Sequence, residues 1–493
     1  MRWTLRIFLT WLAMLLPVLA LADADSARNK GAAWLIKQQR GDGSWANGNG
    51  DLGMQATSAA LLALKNAGLS KSPTFGAASA WLANADADSI DSIARKIEAL
   101  AAAGLPGSAQ SEADRLFALR TLSTSATWGG YGGSGTDYVD TSLGLTALRL
   151  GDAAYGSKAA VTGSGNTLLG AFCSLATARV NVASGKQAWP VTQPATNQSA
   201  GQGRPSVLTT ALLFNELRGM QIAVSTAFNT ATCNSTSYSF ATLQSEAQAW
   251  LLDQQNVDGG FGEQRIDGSK GNSSVLVTAL VYRALNNQTT PPQPQTGNAQ
   301  TWLLAQQDST TGSWHNDPLV TAQVLGVLPA AAGTQLADTD RDGVTNLVEA
   351  QLASNQTVAD ARNQLGAPTL ATPGYTATSF AVNATTGQSF TYSLGGSGAF
   401  SLASGSLPPG LSLNPVTGQI TGTPTQAGSY SFDYQTTSAG NTNLVIGRID
   451  VADASIPSGD NGDVPIPAWA LALLGAALFG LGQRKRGAAL AAT

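Results

Sequence analysis

Through the first two thirds of the chain, small apolar residues recur every three or four positions. The stretches are "TSAALLAL" from Thr57, "SIARKIEAL" from Ser92, "TSLGLTAL" from Thr141, "VLTTALLF" from Val207, "LVTALVYRAL" from Leu276 and "VTAQVLGVL" from Val320. That spacing lines one face of an α-helix. A first helix precedes each, near 27–39, 75–84, 111–122, 163–178, 240–255 and 297–307, and Gly-rich turns carrying an aromatic join the pairs. A hairpin of this kind buries its face only against its neighbours, so six of them predict two concentric rings with the Ala-rich helices inside. The predicted architecture is an all-α (α/α)6 toroid over residues 26–330. Asp317 before Pro318, and Asp137 at the matching place ahead of Thr141, read as helix caps.

The periodicity then changes. Beyond Pro368, alternating segments such as "QSFTYSL" and "GSYSFDYQTT" predict short strands in an all-β Ig-like sandwich over 366–452. A linker over 453–463 follows. At 464–486, "VPIPAWALALLGAALFGLGQRKR" is an apolar helix ending in Arg484-Lys485-Arg486, which predicts a C-terminal transmembrane helix with its basic end toward the cytoplasm. At the other end, Arg2 and Arg6 precede an apolar run closed by Ala20-Leu21-Ala22. This is the pattern of a signal peptide over 1–22, with the mature chain starting at Asp23.

Composition narrows the partners. The net charge is -4, from 27 basic and 31 acidic residues, so no basic field is present to hold nucleic acid. Export places Cys173 and Cys233 in an oxidising compartment, where a disulfide between them is expected.

The turn units repeat "WLIKQQRGDGSW" from Trp34 as "WLLDQQNVDGGF" from Trp250 and "WLLAQQDSTTGSW" from Trp302. On Gln39, Gly43 and Trp45, on Gln255, Gly260 and Phe261, and on Gln307, Gly312 and Trp314, the chain resembles the terpenoid cyclase and protein prenyltransferase (squalene cyclase-like) toroid superfamily. That superfamily also includes transcobalamin-like binders and thioester proteins, so the resemblance implies a fold more than an activity. The segment Ser406 to Phe432 similarly resembles the Ig-like modules of bacterial surface proteins, and the C-terminus resembles PEP-CTERM-type signals processed by exosortase-type proteases in Gram-negative bacteria.

The toroid resemblance implies three possible chemistries, and the residues bear on each. The proton donor of cyclases is the middle acid of an Asp-x-Asp-Asp-Thr motif, and "DYVDT" from Asp137 places Val139 there. Valine donates no proton. Prenyltransferase zinc needs aspartate, cysteine and histidine ligands; the one histidine, His315, and the two cysteines do not supply that set, so no zinc is expected. Thioester proteins need a cysteine where "GFGEQ" has Phe261. What remains is a ring edged by Trp45, Trp128, Tyr131, Trp189, Phe261 and Trp314, with Asp51, Asp137, Asp140 and Asp317 near the inner helix starts. Cavity candidates are Asp51, Trp128, Asp137, Asp140 and Asp317, although aromatics repeated at equivalent positions read as structural first.

At 338–353, "DTDRDGVTNLVE" and its helix fit an EF-hand-like calcium loop. Asp338, Asp340 and Asp342 take places one, three and five, Gly343 the bend, Val344 the carbonyl, Asn346 place nine and Glu349 place twelve. The expectation is an exported, membrane-anchored surface protein whose toroid binds an apolar small molecule or a cell-surface component, with calcium at the joint. The alternatives are a cyclase or transferase with a displaced acid, and an adhesion protein.

Overall fold

The computed structural model describes residues 24–48, 52–121, 126–158, 167–192, 203–223, 230–233, 235–340, 342–354, 356–357, 378–395, 398–405, 407–438 and 441–454. The expected signal peptide (1–22), Asp51 and the expected membrane helix (464–486) lie outside them. No described helix is long and apolar enough to cross a membrane.

All six predicted hairpins are present. In chain order the helices are α1 (24–38), α2 (Gly53–Asn66), α3 (Pro73–Asn84), α4 (Ile90–Ala102), α5 (Pro106–Ala118) and α6 (Tyr138–Gly151). There follow a single turn α7 (Tyr155–Lys158), then α8 (Thr167–Ala178), α9 (Val207–Ala223), α10 (Phe240–Asp253), α11 (Val275–Asn286), α12 (Gln295–Ala305) and α13 (Pro318–Leu325). The inner helices α2, α4, α6, α9, α11 and α13 each pack on the next, and α13 packs back on α2. The ring is therefore closed.

Their small side chains explain the tight inner ring: α2 buries Ala56, Ala59, Ala60 and Ala63, and small residues let helix axes approach. Starts are set by caps. Ser72, Ser89, Asp137, Ser239 and Asp317 each accept a first-turn N–H through the side chain, and Pro73, Pro106 and Pro318 stand at the first helical turn.

Contacts at the ends fix the polarity of the inner ring. At the N-terminal end, the Ile90 N–H donates to the Gly130 carbonyl ahead of α6 and the Tyr138 N–H to the Val191 carbonyl ahead of α9. At the C-terminal end, Lys65 Nζ donates to the Ala102 carbonyl at 2.8 Å, and Asn66 Nδ2 to the carbonyls of Leu325 and Leu328 at 2.7 and 2.8 Å. The six inner helices run parallel.

Two hairpins not anticipated from the sequence, β1 (Val180–Ala183) with β2 (Lys186–Ala188) and β3 (Thr230–Cys233) with β4 (Thr236–Ser239), decorate the connections around α8 and α10. The disulfide forms: Cys173 on α8 joins Cys233 on β3, with Cα atoms 5.4 Å apart.

The chain leaves the ring through a 3-10 turn (Gly333–Leu336) and α14 (Asn346–Leu352), which flank the acidic loop. Next come β5 (Thr378–Thr385), β6 (Phe390–Ser393), β7 (Ala399–Gly405), β8 (Leu411–Leu413), β9 (Gln419–Gly422), β10 (Gly428–Ser438) and β11 (Asn441–Ala452). They form a four-stranded sheet, β5-β11-β10-β7, and a three-stranded sheet, β6-β9-β8. β5 runs parallel to β11 and the remaining pairs are antiparallel. Along β10, every second residue, Tyr430, Phe432, Tyr434 and Thr436, is buried, the period of a strand with one face on a core. Phe380 of β5 stacks on Tyr392 of β6 at 4.8 Å, which ties the two sheets together.

Candidate functional site

Five of the six aromatics that edge the ring in sequence are its fasteners, and the sixth, Tyr131, is exposed. Trp45, Trp128, Trp189, Phe261 and Trp314 are all fully buried. Each backbone N–H donates to a threonine Oγ1 on the following inner helix: Trp45 to Thr57, Trp128 to Thr141, Trp189 to Thr210, Phe261 to Thr278 and Trp314 to Thr321, at 2.9–3.0 Å. Where the residue is tryptophan, the indole N–H donates to a carbonyl of the preceding outer helix, on Leu35, Leu116, Leu175 and Leu303 at 2.7–2.8 Å. One residue thus pins both helices of its hairpin.

The glutamines lock one hairpin to the next. Gln39 Nε2 donates to Gly43 O and to Thr74 O on the next outer helix, at 2.9 and 2.8 Å. Gln255 does the same to Gly259 O and Gln295 O. Gln307 reaches Gly312 O and Ala27 O, joining the sixth hairpin to the first. Gly312 has φ +81, and a Cβ there would sit 2.8–2.9 Å from Lys30; only glycine fits that approach. In "GFGEQ", Glu263 caps the neighbouring repeat: its carboxylate accepts from the N–H groups of Val207 and Leu208, at 3.0 and 2.6 Å, and from Ser206 Oγ at 3.1 Å.

The aspartate candidates are placed as follows. Asp137 accepts from the N–H groups of Val139 and Asp140, at 2.7 and 3.1 Å. Asp317 caps α13 through Val320 N and also accepts from Gly48 N, at 3.1 and 2.8 Å. Asp140 stands beside Asp137 at the N-terminal end of the ring, with its carboxyl pushed up to about 6 by burial, then by the charges of Asp137 and Asp91, against the pull of Arg95. Trp128, Asp137, Asp140 and Asp317 are not among the residues that line the central cavity.

That cavity has a volume of about 790 Å³ and takes lining residues from all six inner helices, a size typical of ligand sites. Toward the helix N-termini its wall is apolar, with Val139, Leu143, Leu208, Leu212, Leu276 and Leu280. Toward the C-termini polar groups enter it, with Lys65, Asn66, Glu98, Asn215, Arg283 and Asn287 opposite the apolar segment 327–330 that follows α13. Burial pushes the Glu98 carboxyl up, against the pull of Arg283, Arg95 and Arg149. Behind the wall, fully buried Glu216 accepts from Thr146 Oγ1 at 2.6 Å and Arg149 Nη2 at 2.8 Å. Burial raises its carboxyl too, with Arg149 and Thr146 opposing. Sequence reasoning passed over Glu98 and Arg283. The available signal was a charge inside an otherwise Ala-, Leu- and Val-rich stripe, as in "SIARKIEAL" and "LVTALVYRAL".

The acidic loop brings oxygen atoms of Asp338, Asp340 and Asp342 within 4.8 Å of one another. Asp338 Oδ2 accepts from Gly343 N at 3.0 Å and Asp342 Oδ1 from Val344 N at 2.7 Å, which curls the backbone around the carboxylates. Gly343 has φ +87 and its Cα faces the Lys71 carbonyl so closely that a Cβ would lie 2.2 Å from it. The loop is thereby seated on the α2–α3 turn. Glu349 is fully buried on α14. Asn346 turns its side chain to Thr339, accepting from its N–H at 2.9 Å and donating to its Oγ1 at 2.8 Å. An all-oxygen donor set of this spacing suits a hard divalent cation.

Comparison with known proteins adds the following. Residues 364–449 match the family model described as Putative Ig domain, in agreement with the β-sandwich. No curated protein matches the chain. Among solved structures, the type II terpene cyclase MstE from Scytonema, in complex with merosterolic acid A, is similar at 14% identity, covering 63% of this chain and 97% of that one, with a TM-score of 0.43. The alpha-1,6-mannanase of Salegentibacter sp. HEL1_6 is similar at 8% identity, covering 62% and 98%, with a TM-score of 0.42. Two unrelated activities at such scores decide nothing about this chain, whose helical ring rests on its own closure and whose C-terminal region is an Ig-like domain.

Proposed function

We propose that this chain is an exported, membrane-anchored surface protein of a Gram-negative bacterium, whose toroid is a binding module for a small, largely apolar ligand. The observation that carries the reading is the central cavity, because all six inner helices line it, with leucines of α6, α9 and α11 toward one end and a few convergent polar groups toward the other. The five buried rim aromatics support binding over cyclisation: they are committed to fastening hairpins, so their π faces do not serve the lumen. An enzyme with a displaced acid has one observation on its side, the raised carboxyl of Asp140. That group sits off the cavity wall, so binding is the better reading.

Calcium belongs to the same proposal. Asp338, Asp340, Asp342 and Glu349 would hold it through carboxylates and Val344 through its carbonyl, with Asn346 at the place often bridged by water. Bound there, calcium would neutralise a crowded set of acids and stiffen the junction between ring and sandwich. The signal-like pattern over 1–22 and the apolar, basic-ended pattern over 464–486 support the address and an exosortase-type processing partner.

The test is native mass spectrometry of the protein purified from its host membrane fraction, with released molecules identified. A discrete small molecule carried at stoichiometric level is the expected result. Bare protein mass at good yield would refute the binding module and make the ring a scaffold.

A further inference from the structure

The cavity is graded along its axis, and the grading identifies a head group. Glu98 is the ninth residue of α4, Thr146 of α6, Asn215 of α9 and Arg283 of α11. Because these helices are parallel, the four residues form a polar belt around the lumen at one level, to within about a turn of helix. Three residues earlier, the same helices carry Arg95, Leu143, Leu212 and Leu280. Val139, Leu208 and Leu276 lie further toward the N-termini. A ligand with one polar end and one apolar end matches that gradient in only one orientation.

Charge decides which polar end. Lys65, Arg95 and Arg283 line the cavity against the single carboxylate of Glu98. Two of the three cations have assigned partners: Arg95 pairs with Asp91 at 2.7 Å, and Lys65 donates to the Ala102 carbonyl. In the belt, Thr146 is held by Glu216, and Asn215 Oδ1 accepts from Asn287 Nδ2 at 2.9 Å. Among the described residues, Arg283 forms no ion pair and Glu98 no hydrogen bond. Among the charged groups at the head of the apolar slot, those without a committed partner are therefore one guanidinium and one carboxyl.

Resting on the binding reading above, we propose that the cavity takes an anionic amphiphile, its carboxylate or phosphate head on Arg283 beside Glu98 and its apolar body along Leu212, Leu280, Leu208 and Leu276. A planar guanidinium is suited to either oxyanion. Glu98 then acts as the neutral partner that shares a proton with the head. Its surroundings are Asp91 and Arg95 on its own helix, Lys65 on α2, Arg149 on α6, Glu216 on α9 and Arg283 on α11. An anion arriving at Arg283 favours protonated Glu98 further, so binding takes up a proton and weakens as pH rises.

The test is calorimetric titration of the full-length protein with octanoate, octyl phosphate, octanol and octylammonium. One of the two anions is expected to bind tightest, and which one identifies the head; octanol should be roughly tenfold to a hundredfold weaker, the worth of a charge-assisted hydrogen bond, and octylammonium weakest. Arg283→Met should bring the anion down to the octanol level and leave octanol unchanged, a split that damage to the fold would not produce. Glu98→Gln should keep anion binding and flatten its pH profile. Octanol binding as tightly as the anions would overturn the head-group assignment and leave the cavity reading standing, and octylammonium binding tightest would reverse its sign. Binding of none of the four would remove the cavity reading together with the proposal.

Discussion

Of each Gln-Gln pair, one glutamine should matter far more than the other. Gln39 is buried and its amide donates two hydrogen bonds, to Gly43 O within its turn and to Thr74 O on the next outer helix. Gln38 beside it is exposed. Gln39→Ala removes two bonds worth about 1 kcal/mol each net, leaves a buried turn carbonyl short of its donor and opens a void where two methylenes packed, for a loss of roughly 3 kcal/mol. Gln39→Met keeps the volume and should lose roughly 2 kcal/mol, which isolates the hydrogen bonds. Gln38→Ala should stay within about 0.5 kcal/mol. The assay is urea unfolding followed by tryptophan fluorescence, well suited because Trp45, Trp128, Trp189 and Trp314 are buried in the same fasteners. In thermal scans the Gln39→Ala loss corresponds to roughly 6 °C, at about 2 °C per kcal/mol in a large domain. Equal losses for Gln38→Ala and Gln39→Ala, or a Gln39→Met variant as stable as the unaltered protein, would refute the clasp.

Three further outcomes are expected. Glu349→Gln should abolish calcium-dependent protection of the junction from limited proteolysis; if the unaltered protein is cleaved equally with and without calcium, the calcium loop is not one. Replacing Cys173 and Cys233 by serine should destabilise the ring by about 4 kcal/mol, the loop-closure term for a separation of 60 residues; urea midpoints unchanged by the double variant would contradict it. Asp140 has its folded-state carboxyl raised to about 6, so any stability that it lends below about pH 4 is lost as pH rises through about 6. Asp140→Asn should therefore leave stability unchanged in acid and raise it by roughly 1 to 2 kcal/mol at about pH 8, after allowance for partial solvent screening; a variant gain that is the same at both pH values would sink this reading.

The hairpins were legible in the sequence because both of their signals are local. Helical spacing of Ala and Leu in "TSAALLAL" and a turn of fixed chemistry in "GDGSW" need no distant partner to be recognised. The sandwich was legible for the same reason, through the alternation of Tyr430, Phe432 and Tyr434. The position of the functional surface was less visible. Trp128 and Asp137 look exposed to a cavity when read along the chain, because nothing local shows that Leu116 O and Thr141 Oγ1 meet the tryptophan from two different helices. Nor does the sequence show that Glu98 and Arg283, some 185 residues apart, face one lumen: that follows from ring closure between α13 and α2, a contact spanning most of the toroid.

A repeat protein offers its own criterion for separating scaffold from site. Residues that recur at equivalent places, the fastening Trp or Phe, its Thr, the turn Gly and the clasping Gln, are each explained completely by hydrogen bonds that hold one hairpin to itself or to the next. Such positions recur, the fastener five times and the clasping glutamine three, because each hairpin must be held to itself and to its neighbour. The ninth positions of the inner helices are under no such demand. In four of these helices the ninth position lines the same lumen, yet α4 has Glu98 there, α6 Thr146, α9 Asn215 and α11 Arg283. Ring closure asks nothing of that variety, and burying charged groups would be a poor way to stabilise the wall, since their desolvation is costly. Asymmetry inside a symmetric scaffold is what a ligand with distinct ends requires. The departures from the repeat, rather than the repeat itself, therefore locate the part of this protein that selects what it holds.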